Sequence, residues 1–103
     1  RGDVALGSAV ADPALMDEMR KIASDLEAKT DISVSGFVVS SRVPGELRAI
    51  AAEGFTLIFA RDNDIGESIT VFRQVLEREI GDRKSRLEYV DLRLGNKVFY
   101  KMR

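Results

Sequence analysis

Any chemistry in this 103-residue chain would have to run on carboxylates, amines and hydroxyls, because it contains no His and no Cys. That composition excludes a Ser-His-Asp triad, a thiol nucleophile and a soft-ligand zinc, haem or iron–sulfur site. One acidic cluster has site-like spacing: Asp62, Asp64 and Glu67. A calcium or magnesium loop would use such residues. The EF-hand pattern fails here, since Gly66 falls one position early and no Glu closes the loop. Carboxylates so placed suit the start of a helix, where they meet free backbone N–H groups. Asp17-Glu18 and Glu77 with Glu79 lie on polar helix faces, and the scattered glycines form no phosphate-binding loop. The residues therefore point away from an enzyme and call for no metal or cofactor.

Charge is unevenly placed. The net charge is −1, from 16 Lys+Arg against 17 Asp+Glu. Residues 1–80 carry −5, and residues 81–103 carry +4 through Arg83, Lys84, Arg86, Arg93, Lys97, Lys101 and Arg103. A near-neutral chain is not a general nucleic-acid binder. A basic end on an acidic body either protects a terminal edge strand from aggregation or docks an acidic partner.

The elements that must position these charges follow from hydrophobic period. Residues 1–11 read as an extended lead-in, and 12–103 as one α+β domain. The lead-in starts with the adhesion-like tripeptide Arg1-Gly2-Asp3, short enough to arise by chance, and the absence of an initial Met leads us to expect a longer parent. Asp12 as N-cap and Pro13 at the first position open a helix. Leu15, Met19, Ile22 and Leu26 form its apolar stripe, which runs to about Lys29. Ile32–Ser40 is a β-branched strand, with Ile32, Val34, Gly36 and Val38 on one side and Ser33, Ser35, Phe37 and Val39 on the other. Ser41–Gly45 turns the chain, Glu46–Ala52 is a second strand, Glu53-Gly54 a tight turn, and Phe55–Ala60 a third strand. The stripe Ile65, Ile69, Phe72, Leu76 and Ile80 predicts a second helix, capped by Gly81. A polar loop, Asp82–Ser85, leads to Leu87–Leu94, a two-residue Gly95-Asn96 turn, and Lys97–Met102.

The predicted fold is thus α+β: helix, three antiparallel strands, helix, and a C-terminal β-hairpin. One mixed sheet carries both helices on one face, with the strands flanking the second helix paired in parallel. Nothing after Lys97–Met102 would cover that strand, so at a sheet edge it could accept a strand from another protein. Phe99 and Tyr100 are adjacent and face opposite sides, which makes a poor base-stacking platform. Self-association through the same edge and a small nucleic-acid-binding module are the competing uses. Asp91 and Arg93, two apart, share a side of their strand, where they pair with each other or cap the end of the sheet.

Leu87–Arg93 followed by Gly95-Asn96-Lys97-Val98 resembles the C-terminal signature of the FtsQ/DivIB family of bacterial cell-division proteins, in which a Tyr-Val/Ile-Asp-Leu-Arg strand runs into a short turn and a last strand. Glu53–Phe59 with Arg61 resembles that family's "dG-x-x-v-x-l-G-r" strand, and the helix at 65–80 matches in place and length. The resemblance covers roughly 12–102 and is most specific at Tyr89, Val90, Asp91, Leu92 and Arg93. Ala60 departs from a frequent Gly, and Leu94 from a frequent aromatic.

The resemblance implies the β domain of a single-pass, membrane-anchored scaffold outside the bacterial cytoplasmic membrane at the division septum. The membrane helix and a POTRA domain would precede it. It implies docking of an FtsB/DivIC-type coiled-coil partner, which works with an FtsL-type protein. That partner adds a strand to the last strand and brings acidic residues to a basic one. The implied contact positions are Arg61, Leu94, Lys97, Val98, Phe99, Tyr100 and Lys101.

Overall fold

The computed structural model describes residues 3–5, 13–40, 42–94 and 97–103. The chain runs β1 (Asp3–Ala5), α1 (Pro13–Thr30), β2 (Val34–Ser40), β3 (Glu46–Ala51), β4 (Thr56–Ala60), α2 (Ile65–Val75), β5 (Leu87–Asp91) and β6 (Phe99–Met102). A π turn, Leu76–Ile80, and a 3₁₀ segment, Gly81–Arg86, join α2 to β5. The strands form one mixed sheet in the order β1-β2-β3-β4-β5-β6. β4 and β5, the strands flanking α2, are parallel and every other pair is antiparallel. This is the predicted α+β arrangement, with a sixth strand, β1, contributed by the lead-in. The expected N-cap Asp12 and the turn residues Ser41, Gly95 and Asn96 lie outside the described residues.

Each helix buries the stripe its spacing predicts. Leu15, Met19, Ile22 and Leu26 of α1 and Ile69 and Phe72 of α2 are buried. The two helices lie side by side on one face of the sheet. Lys29 ties them together: its Nζ donates to Gly66 O (3.2 Å) and Thr70 Oγ1 (3.0 Å) on α2. Asp64 caps α2, its Oδ1 accepting from Glu67 N–H (3.1 Å). The last turn widens to a π turn because the stripe advances by four twice, from Phe72 to Leu76 to Ile80. A strict 3.6-residue period would rotate Ile80 away from the sheet. Gly81, at φ +59°, ends the turn where a cap glycine was predicted. The expected polar loop after it is the 3₁₀ segment.

The strands sort into two faces. Toward the helices point Phe37, Leu47, Ala49, Leu57, Phe59 and Val90, all buried. The predicted alternation in β2 holds for Phe37 and Val39 but not for Val34. Ser35 is an extra residue between the pairs Val34–Ala51 and Gly36–Ile50. That bulge returns Val34 to the core side. Pro44 and Gly45 (φ +82°) make the β2–β3 turn, closed by Glu46 N–H to Val43 O (3.2 Å). The positive φ at the third turn position is what calls for glycine there. The β3–β4 turn spans three residues rather than two: Ala51 N–H bonds Phe55 O and Gly54 N–H bonds Ala51 O, each at 2.9 Å.

Candidate protein-docking edge

β6 is the last strand of the sheet and has a neighbour on one side only. Its pairs with β5 are Phe99–Asp91, Tyr100–Val90, Lys101–Tyr89 and Met102–Leu87. The predicted strand Lys97–Met102 begins later, at Phe99, and its partner ends at Asp91 rather than Leu94. The connection therefore spans 92–98 instead of two residues. Leu92 N–H continues the parallel ladder to Ile58 O (2.8 Å) on β4, and the hairpin ladder stops at the next residue. Asp91 Oδ1 then accepts from Arg93 N–H (3.0 Å) and starts a turn.

The phase of the ladder fixes which backbone groups are free. Arg103 N–H points inward, to Arg86 O (2.7 Å). Alternation then turns the N–H and C=O of Tyr100 and Met102 outward, and those of Val98 if the strand is extended. Side chains alternate as well. Val98, Tyr100 and Met102 pack against the core, and the Tyr100 hydroxyl donates to Glu79 Oε1 (3.2 Å). Phe99 is 52% exposed on the opposite, open face. Phe99 and Tyr100 thus face opposite sides, as predicted. Lys97 and Lys101 are exposed, and Lys101 Nζ lies 3.8 Å from Glu88.

The Tyr89–Arg93 run divides by face. Val90 and Leu92 are fully buried, and Tyr89 stands on the open face. Asp91 and Arg93 do pair: Arg93 Nε and Nη2 donate to the two Asp91 oxygens at 2.9 and 2.6 Å. These bonds hold the Asp91 carboxyl below its ordinary value, and partial burial works against them. Arg93 also reaches Glu46 Oε1 (3.0 Å), and Glu46 Oε2 accepts from Arg48 Nε (2.8 Å). Glu46 has a side chain only 2% exposed. Its partner position on β4 is Ala60, whose small side chain leaves room for Arg93 to cross. Four charged groups from β3 and the end of β5 thus close over β4. They account for the burial of Ile58, an apolar residue on the open face with 8% exposure. Asn63 Nδ2, donating to Arg93 O (2.7 Å), fixes the backbone there too. This network sets where the connection to β6 begins.

Sequence reasoning missed Glu46, Arg48 and Asn63. A signal existed: Glu46 and Arg48 are two apart on a strand, the same spacing as Asp91 and Arg93. Joining the two pairs required knowing that Ala60 lies between them.

Arg61 follows β4, and its guanidinium is held by Glu18 of α1, with Nε–Oε2 3.0 Å and Nη2–Oε1 2.8 Å. Helix packing brings that carboxylate, 43 residues away in sequence, to Arg61. Arg61 and Arg93 line one hollow of about 520 Å³, with Glu18, Val43, Pro44 and Glu46. It opens at the end of the sheet where β6 begins, two strands in from the edge, or roughly 10 Å. Leu94 is 57% exposed on the connection. The structure therefore gathers Leu94 and residues 97–101 at one edge and sets Arg61 inward of it.

Among the described residues, no group of three or more His, Cys, Asp or Glu side chains could hold a metal ion. No helix among them is long and apolar enough to cross a membrane. No family model matches the chain, and no curated protein matches it in sequence.

Proposed function

We propose that this chain is a non-enzymatic protein-binding domain of a bacterial cell-division scaffold of the FtsQ/DivIB type. It docks an FtsB/DivIC-type partner, acting with an FtsL-type protein, by strand addition at β6. The parent protein is anchored in the cytoplasmic membrane by a separate segment and presents this domain on the extracytoplasmic side at the septum. The observation that carries the reading is the edge itself. β6 ends the sheet, turns backbone donors and acceptors outward, and starts from a connection fixed by Arg93, Asp91 and Glu46. The resemblance at Tyr89–Arg93 supplies the partner class.

Val98→Pro tests it. Val98 precedes the paired segment, so the substitution removes an N–H beside the outward donors of β6 without breaking a β5–β6 pair. Binding of an FtsB-like peptide is expected to be abolished while the thermal unfolding midpoint stays close to wild type. Unchanged affinity would sink the reading. Arg61→Glu is expected to weaken the same binding by a smaller factor, with the loss shrinking at high salt.

A further inference from the structure

An edge strand that accepts a partner's strand is equally open to its own copy, so something must decide between them. The pattern of β6 does so. Its period of two places Phe99 and Lys101 on the open face, and one step further at each end brings Lys97 and Arg103 to that face. A two-fold antiparallel pair of β6 strands keeps open face with open face. Directly opposed residues then carry numbers of the same parity, which leaves three centred registers. Centred on Phe99, the pair sets Lys97 against Lys101 twice. Centred on Tyr100, it sets Lys97 against Arg103 twice. Centred on Lys101, it sets Lys101 against itself. Every register opposes cations, and like charges directly opposed across strands are destabilising. Lys97 and Lys101 carry most of this repulsion, because Arg103 Nη2 lies 2.9 Å from where a Cβ on Gly54 would stand and its charge is drawn back from the edge toward the β3–β4 turn.

We propose that β6 rejects a second copy of itself and selects an extended segment carrying two acidic residues four apart on its open-face side and apolar residues on the other. The acids would face Lys97 and Lys101, and the residue between them would cover Phe99. The apolar set would continue the row Val98, Tyr100 and Met102, which already packs on the core. Glu88, 3.8 Å from Lys101 and 49% exposed in its side chain, is too loosely held to satisfy that lysine. The selection rests on the edge-docking reading above and adds to it a rule for what docks.

The test uses three peptides that differ only in charge: Val-Glu-Val-Thr-Val-Glu-Val, its Gln counterpart and its Lys counterpart, each labelled for fluorescence anisotropy. The Glu peptide is expected to bind best, the Gln peptide on the order of tenfold more weakly, and the Lys peptide more weakly still. The Lys97→Glu/Lys101→Glu variant should reverse that order. Equal binding of all three would overturn the charge selection while leaving edge docking intact. Binding of none would overturn edge docking itself. In sedimentation, wild type should remain monomeric as concentration rises. A wild-type dimer that Val98→Pro abolishes would also overturn the proposal.

Discussion

β4 and β6 differ by one residue in length and share one sheet, yet they are opposite in kind. β4 is central, and Leu57, Ile58 and Phe59 are all buried although they point to alternating faces. Its helix-side residues are covered by α1 and α2, and its open-face residue, Ile58, by the Glu46–Arg48–Asp91–Arg93 network. β6 has one neighbour and buries none of its four residues completely. The difference separates what holds the domain together from what it offers. β4 is hydrogen-bonded to a strand on each side and keeps its three central side chains buried. β6 offers outward backbone groups and the exposed side chains of Phe99 and Lys101.

The comparison is broken most forcefully at β4. Phe59 is fully buried among apolar side chains. Phe59→Ala is expected to cost about 3–5 kcal/mol, read as a lowered urea midpoint at unchanged slope. A similar loss from Phe99→Ala would erase the distinction between the strands.

Next comes the network that closes over β4. Glu46→Ala leaves Arg48 and Arg93 without their buried acceptor. Both guanidinia are more than two-fifths exposed and can turn to water. The expected cost is therefore about 1–3 kcal/mol rather than that of a stranded buried charge. The same variant should also weaken partner binding, because Arg93 would lose its hold on β3. Full stability together with full binding would show that the network positions nothing.

The smallest effect is the pH dependence of Asp91. Its folded-state carboxyl titrates below the ordinary value, so the folded state binds the proton less readily than the unfolded state. The stability this supplies is fully present above the ordinary carboxylate pKa, about 4, and is lost as pH falls through the depressed folded value. Asp91→Asn should flatten the stability–pH curve in that acid window and leave its shape near neutrality unchanged. Denaturant titrations at a series of pH values would detect this, and an unchanged acid slope would contradict it.

Local rules made much of the architecture legible. The stripes Leu15–Met19–Ile22–Leu26 and Ile69–Phe72–Leu76–Ile80, the face Phe55–Leu57–Phe59 and the parallel pairing across α2 all follow from period and connection length. The sequence reading failed where one residue is balanced against a distant one. The Ser35 bulge is invisible without β3 alongside. The hairpin connection lengthens at Arg93, whose N–H is taken by Asp91 and whose guanidinium is held by Glu46 on β3. The site shows the same division. The edge position of β6 and the opposed faces of Phe99 and Tyr100 were readable from chain order and alternation. The Glu18 partner of Arg61 and the Glu46 partner of Arg93 lie 43 and 47 residues away. Neither spacing repeats a local pattern that could reveal it.

The central claim, that a partner adds a strand to β6, is tested most directly by amide hydrogen exchange with and without a bound FtsB-like segment. The outward N–H groups of Tyr100 and Met102 should exchange rapidly in the free domain and become strongly protected in the complex. The inward N–H of Lys101 should change far less. Protection that appears at β2, or on the outer surfaces of α1 and α2, with Tyr100 and Met102 still exchanging freely, would contradict the account.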